Sequence, residues 1–160
     1  NVNRDFSGRR HLDWSTLDQV RTRWKGNLVV KGILHPDDAR RAVSAGADGL
    51  IVSNHGGRQL DGTVAPLTML PEVLEAVAGA VPVMIDGSFR RGSQVLKALS
   101  LGASFVFIGR PFNYAASVAG EAGVKKAAML LGSEIERNMA LLGITDVEKL
   151  TPDLLRRLNH

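Results

Sequence analysis

Four short apolar runs constrain the fold of this chain more than any other feature. They are rich in β-branched or aromatic residues and lack the two-residue alternation of a half-exposed strand; they occupy 28–30, 49–52, 81–85 and 105–108. Such runs are typical of strands that are buried on both faces, as in a parallel sheet. Because helix-like segments lie between them, the pattern predicts an α/β fold with strand–helix alternation.

Helical spacing of apolar residues and terminal signals predict five helices. They are expected at 36–45, 66–78, 92–101, from about 115 to 142, and from roughly residue 151 onward. Prolines near the start and glycines near the end of several of these segments support the assignment. The long helix carries Gly120 and Gly123, where we expect an interruption. Thr151 is the expected N-cap of the last helix, with Pro152 at its first position.

An internal repeat indicates how the units are arranged. The segment 42–48, which precedes one strand, resembles the segment 98–104, which precedes another. Two tandem pairs of βα units favour a barrel over a doubly wound sheet. Four units make only half of an eight-stranded barrel and leave two sheet edges open. We therefore expect residues 1–160 to form the C-terminal half (strands 5–8) of a TIM (β/α)8 barrel, completed by a preceding segment, a second chain or a symmetry mate.

Composition narrows the class of ligand. The formal net charge is +4, the basic residues are spread along the chain, and no basic tract is interleaved with aromatic residues. This argues against nucleic acid and favours a small anion. The chain has no cysteine, so a disulfide framework and a thiolate metal site are excluded. The absence of a carboxylate–histidine cluster at ligand spacing also argues against a catalytic metal.

Polar residues follow each predicted strand, and in a barrel these ends form the active face. They are Lys31, the segment 54–58, the segment 86–90, and the pair 109–110. His55 can accept a proton near neutral pH, and Arg58 can bind a carboxylate with two hydrogen bonds. The alternatives that involve no ligand are a structural His55, a Lys31 that extends from the sheet rim, and an Arg58 that pairs with Asp61. The last two loops each combine glycine with arginine before a helix, which predicts a phosphate site.

These segments resemble the FMN-dependent α-hydroxy-acid dehydrogenases and oxidases, the family that includes lactate dehydrogenase, mandelate dehydrogenase and glycolate oxidase. Residues 53–61 match the family signature Ser-Asn-His-Gly-Gly-Arg-Gln-Leu-Asp throughout, and the resemblance runs from about Asp13 to the C-terminus. The segments 30–32, 86–92 and 109–110 match the lysine strand and the two phosphate loops. Ser88 departs from the pattern, because many members have glycine there.

The resemblance implies oxidation of a small L-2-hydroxy acid of the lactate, mandelate or glycolate type to the 2-oxo acid. His55 would be the catalytic base and contact substrate, Arg58 would bind the substrate carboxylate, and Lys31 would stabilise the reduced flavin. The implied FMN-binding residues are Lys31, Ser53, Asp86, Gly87, Ser88, Phe89, Arg90, Gly109 and Arg110.

The resemblance also implies partners and a location. The N-terminal half of the same protein would complete the barrel, and the whole would form a homotetramer. The expected location is the cytoplasm, with peripheral attachment to the inner membrane through the preceding loop as the alternative. Two other functions stay open: another FMN- or phosphate-binding barrel of the IMP dehydrogenase or type 2 isopentenyl-diphosphate isomerase kind, and a non-catalytic half-barrel that only binds.

Overall fold

The structure, a computed structural model, describes residues 13–156 of the chain. Its centre is a sheet of four parallel strands in the order β1-β2-β3-β4. The strands are β1 (Val29–Ile33), β2 (Gly49–Val52), β3 (Val83–Ile85) and β4 (Phe105–Val106). The sheet confirms the predicted α/β class, in which each strand is followed by a helix that returns the chain to the next parallel strand.

Five helices accompany the sheet: α1 (Trp14–Arg23), α2 (Pro36–Ser44), α3 (Pro66–Val77), α4 (Gly92–Ser100) and α5 (Arg110–Leu141). The sequence pattern does not predict α1, whose apolar residues are sparse. Its start is nevertheless encoded, because the Asp13 carboxylate accepts a hydrogen bond from the Thr16 N–H and the Thr16 hydroxyl accepts one from the Asp13 N–H. This reciprocal capping satisfies N–H groups that have no partner inside the helix.

The last two predicted helices need correction. Helix α5 begins at Arg110, five residues earlier than expected, and it breaks at Ala119 and Gly120, where the backbone is non-helical, as the glycines predict. The predicted helix from residue 151 is wrong within the described residues. Only one 3₁₀ turn, Pro152–Leu154, forms there; the Thr151 side chain makes no capping hydrogen bond, and Leu155 is already extended.

Burial is uneven across the sheet. All four residues of β2 are buried, whereas Val29 of β1 and Phe105 of β4 are 44% and 55% exposed. The prediction that every strand is buried on both faces is therefore wrong for β1 and β4. These two strands lie at the edges of the sheet, where no strand of residues 13–156 covers their outer sides. The core lies between β2, β3 and the helices α2 to α4, and it includes Leu50 and Leu70.

In the described part of the chain, no helix combines the length and apolar character needed to cross a bilayer.

Candidate active site at the carboxyl ends of the strands

Loops that follow β2, β3 and β4 enclose a cleft of about 200 Å³. His55 belongs both to this cleft and to an adjoining hollow that Lys31 and Ser53 also line. The structure thus brings the predicted residues to one edge of the sheet, although they are distant in sequence. The predicted residues on the cleft itself are His55, Arg58, Asp86, Gly87, Ser88, Phe89, Arg90, Gly109 and Arg110.

The Lys31 ammonium is held between two neighbouring strand ends. Its Nζ donates to the Ser53 hydroxyl at 2.9 Å and lies 2.9 Å from Asp86 Oδ2. Strand β1 continues past Lys31 to Ile33 through an irregular register. These two contacts favour a fixed cation over a Lys31 that only extends from the sheet rim. Two fixed oxygens hold its charge at one point, although 45% of its side chain stays exposed to solvent or ligand.

Asp86 has one carboxylate oxygen that is unpaired. Its Oδ1 is buried and has no hydrogen-bond partner, while Oδ2 pairs with Lys31. Leaving a buried acceptor unsatisfied costs about 1–3 kcal/mol, and such atoms are rare in folded proteins unless a ligand or water completes them. Asp86 Oδ1 is therefore an acceptor that lacks a donor among the described residues.

The turn that carries His55 is built from unusual backbone. His55, Gly56 and Gly57 have φ angles of 55°, 64° and 72°. Side chains hold the turn in place: the Ser53 hydroxyl accepts from the His55 N–H at 3.0 Å, and the Asn54 side chain accepts from the Gly56 N–H at 3.0 Å. A left-handed conformation is costly for a residue with a side chain. It leaves the exposed His55 imidazole without a hydrogen-bond partner among the described residues, so it is available to a substrate.

Arg58 does not form the ion pair with Asp61 that the sequence left open. Asp61 Oδ1 instead accepts from the Gly62 N–H at 3.0 Å, which braces the loop. In the described part of the chain no carboxylate lies within ion-pair distance of Arg58. Its guanidinium is exposed at the cleft that His55 also lines, where it can bind a carboxylate.

The two glycine–arginine loops meet across the cleft. Arg110 Nη2 donates to the Ser88 hydroxyl at 2.8 Å, which joins the loop after β3 to the start of α5. No side chain caps the N-terminus of α5. Phe89 is only 5% exposed and packs in the core, so it anchors the first loop and offers a ligand mainly its backbone.

Helix α4 contrasts with α5, because its N-terminus is already satisfied. Gln94 Oε1 accepts from the N–H groups of Arg90 and Arg91, and Glu134 Oε2 accepts from that of Gly92. The Gly92 hydrogen bond, followed by that from Arg91, holds the pKa of Glu134 below its ordinary value. The start of α4 thus has no free donors at these positions, and an anion is better placed at the start of α5.

The sequence analysis assigned no role to Asn54, Gln94 or Glu134, and it did not predict that Arg110 lies beside Gly56. Arg110 Nη2 lies 2.9 Å from the point where a Cβ on Gly56 would stand. The Asn-His-Gly-Gly order was a signal for the Asn54 turn, since asparagine often bonds to backbone two residues on. The described residues contain no group of three or more histidines, aspartates and glutamates that could hold a metal ion.

Comparisons with known proteins identify the family to which the chain belongs. Residues 2–157 match the model of a family described as FMN-dependent dehydrogenase. The chain is 46% identical over 144 residues to an L-lactate dehydrogenase of Ectopseudomonas mendocina, a match that covers 90% of this chain and 38% of that protein. It is 47% identical over 149 residues to a peroxisomal (S)-2-hydroxyacid oxidase of Arabidopsis thaliana, which covers 93% of this chain and 41% of the relative.

Among solved structures, the chain resembles a monotopic membrane protein, (S)-mandelate dehydrogenase. The TM-score is 0.86 at 43% identity, and the match covers 91% of this chain and 38% of that one. The likeness confirms an α/β chain that forms part of a TIM barrel. The chain thus spans about two fifths of the length of these relatives. By the extent of the family match and the agreement of both kinds of comparison, this chain belongs to the FMN-dependent dehydrogenase family.

Proposed function

We propose that this chain supplies the catalytic face of an FMN-dependent oxidoreductase that converts a small L-2-hydroxy acid to the 2-oxo acid. The observation that carries the proposal is the juxtaposition of three groups at one cleft: the imidazole of His55 and the guanidinium of Arg58, neither with a partner among the described residues, and the carboxylate of Asp86, whose buried Oδ1 lacks a donor there. The family match favours this reaction over the IMP dehydrogenase-like and isomerase-like alternatives.

The residues present fit FMN. Asp86 Oδ1 needs a hydrogen-bond donor, which a ribityl hydroxyl supplies. The backbone of Gly87, Ser88 and Gly109, together with Arg90 and Arg110, suits a dianionic phosphate beside the uncapped start of α5. Lys31, with Ser53 beneath it, offers a fixed cation where negative charge would accumulate on the isoalloxazine. When bound, FMN accepts the two electrons that leave the substrate.

The substrate would be held and deprotonated by the His55 turn. Arg58 would bind the carboxylate with two parallel hydrogen bonds, which fixes the orientation of the 2-hydroxy carbon. His55 would accept a proton, either from that carbon or from its hydroxyl. The hydrogen bond from the His55 N–H to the Ser53 hydroxyl braces the positive-φ backbone of a residue that lines the cleft, which supports this role.

The open edges of the sheet support the proposal that another segment completes the barrel. Val29 of β1 and Phe105 of β4 are exposed apolar residues on strands with one free side each. We assign residues 1–160 to the C-terminal half and propose the N-terminal half of the same protein as the partner; residues 1–12 and 157–160 lie outside the described part. The homotetramer stays a prediction, as do the cytoplasmic or peripheral membrane location and the individual substrate.

Anaerobic flavin reduction tests the proposed function. The complete natural polypeptide, loaded with FMN, is mixed with L-lactate, (S)-mandelate or glycolate, and bleaching of the visible flavin absorbance is followed. At least one acid should bleach wild type, and His55→Gln should retain FMN but bleach slower by several orders of magnitude. Dithionite, which needs no base, should bleach both equally and serves as the control. A flavin that none of the acids reduces, or normal reduction in His55→Gln, would contradict the proposal.

A further inference from the structure

Ser88 has a left-handed backbone conformation, which is unfavourable for a residue with a side chain. Its φ is 63°, in the left-handed region, directly after Gly87 with φ of 112°. A residue with a Cβ pays about 1 kcal/mol or more there relative to glycine, and the resemblance places glycine at this position in many relatives. The serine hydroxyl therefore needs a compensating role.

We infer that Ser88 is a positioning residue that orients Arg110 toward the FMN phosphate and so sets the preference of this protein for FMN over riboflavin. The inference rests on the proposed function, because it assigns the phosphate to this corner of the cleft. The direct observation is the 2.8 Å hydrogen bond from Arg110 Nη2 to Ser88 Oγ.

The hydroxyl can orient the arginine by accepting its N–H. A serine oxygen carries two lone pairs. Accepting from Arg110 Nη2 uses one of them and fixes the direction of the guanidinium at the cleft. Since no carboxylate among the described residues lies within ion-pair distance of Arg110, its positive charge is not already neutralised.

A second contact restricts Arg110 from the opposite loop. Its Nη2 passes over Gly56, only 2.9 Å from where a Cβ would stand. The guanidinium thus lies between the turn that carries His55 and the Ser88 hydroxyl, in room that the absent side chain of Gly56 leaves. Arg90 lines the same cleft, and among the described residues Arg110, not Arg90, forms a hydrogen bond with the Ser88 hydroxyl, which makes Arg90 a matched control.

Binding of FMN and riboflavin to the complete natural polypeptide tests the inference. Riboflavin has the same ring and ribityl chain but no phosphate. Ser88→Ala keeps the backbone strain and loses the hydroxyl, whereas Ser88→Gly loses both. Both variants should bind FMN roughly tenfold more weakly, the effect of one charge-assisted hydrogen bond, and bind riboflavin as wild type does. An unchanged FMN-to-riboflavin affinity ratio in Ser88→Gly would overturn the inference.

A double-mutant cycle separates positioning from direct contact. In an Arg110→Ala background, Ser88→Ala should cause no further loss of FMN affinity, whereas in an Arg90→Ala background it should keep its full effect. An equal loss in both backgrounds would show that the hydroxyl acts without Arg110 and would refute the positioning role. If wild type fails to bind FMN, the proposed function itself is wrong. If wild type binds FMN and the Ser88 variants bind it equally well, only the inference about Ser88 fails.

Discussion

Gly56→Ala is the substitution with the sharpest predicted consequence for cofactor binding. Gly56 has φ of 64°, and an added Cβ would stand 2.9 Å from Arg110 Nη2 and 3.4 Å from its Cζ. The backbone therefore resists a side chain, and the space is already filled by the end of the arginine. Both effects arise from the same added Cβ, but the backbone effect changes the free energy of unfolding and the steric effect changes the affinity for FMN.

The backbone effect falls on stability. Placing alanine in the left-handed region costs about 1–2 kcal/mol relative to glycine, which should lower the free energy of unfolding by that amount. The steric effect adds little to this, because the guanidinium lies at the end of a flexible side chain and can turn away. Turning away would break its hydrogen bond with Ser88 and move its charge from the proposed phosphate position. Loss of one charged contact corresponds to roughly 10- to 100-fold in the FMN dissociation constant.

Gly62→Ala is the matched control. Gly62 lies in the same loop with φ of 76°, and no atom lies within 4 Å of its Cβ position. Urea unfolding should therefore show similar destabilisation in the two variants. Flavin titration should show weaker FMN binding only in Gly56→Ala, with riboflavin affinity unchanged in both. Equal FMN affinities in the two variants would refute the claim that Gly56 leaves room for a phosphate-binding Arg110.

Three further substitutions test other parts of the structure. Asp86→Asn should change the cofactor-free stability by no more than about 1 kcal/mol. The ion pair with Lys31 is half-exposed and therefore weak, and its loss is offset because the carboxylate oxygen that lacks a donor is no longer charged. FMN should nevertheless protect the variant less against heat, and a loss of stability above about 3 kcal/mol would contradict this. The pKa of Glu134 is held below its ordinary value in the folded protein. Glu134 therefore contributes stability above that ordinary value, and the contribution is lost as pH falls through the folded pKa. In urea unfolding, the free energy of unfolding that Glu134→Gln loses should be largest at neutral pH and shrink in acid, and a loss that does not change with pH would refute this. Gly123→Ala should destabilise the protein by at least about 2 kcal/mol, because the added Cβ would lie 2.0 Å from a backbone oxygen. Gly132→Ala, with open space around the position among the described residues, should be neutral or stabilising. Equal melting temperatures of the two variants would contradict the packing across the break in α5.

Much of the fold could be predicted from local patterns. Strand β2 matches its apolar run residue for residue, because all four of its side chains are buried and leave no alternation to misread. The strands at the edges were harder to delimit. Only Phe105 and Val106 of the run 105–108 form β4, since no further strand lies on its other side to extend the ladder. Edge status is a property of the whole sheet, and a run of apolar residues does not reveal it.

The residues of the candidate site were easier to predict than their contacts. A motif names His55 and Arg58, and the rule that parallel strands end at one edge places them together. The bond between Arg110 and Ser88, by contrast, joins residues 22 positions apart in loops of irregular backbone. The sequence also did not reveal that the loop before α4 has its backbone N–H groups already bonded. One of these bonds goes to Glu134, a distant residue on α5 that accepts from the Gly92 N–H. Such long-range side-chain partners leave no local sequence pattern.

The distribution of backbone strain relates the fold to its proposed chemistry. Among the described residues other than glycine, only His55, Ala78 and Ser88 have positive φ. Ala78 ends α3, where a left-handed residue is an ordinary way to terminate a helix. The other two line the cleft, where glycine would relieve the strain at no cost in packing. Glycine there would, however, remove the imidazole from one loop and the hydroxyl that orients Arg110 from another. Strain at these two positions supports the proposed roles of His55 and Ser88, which folding alone does not require.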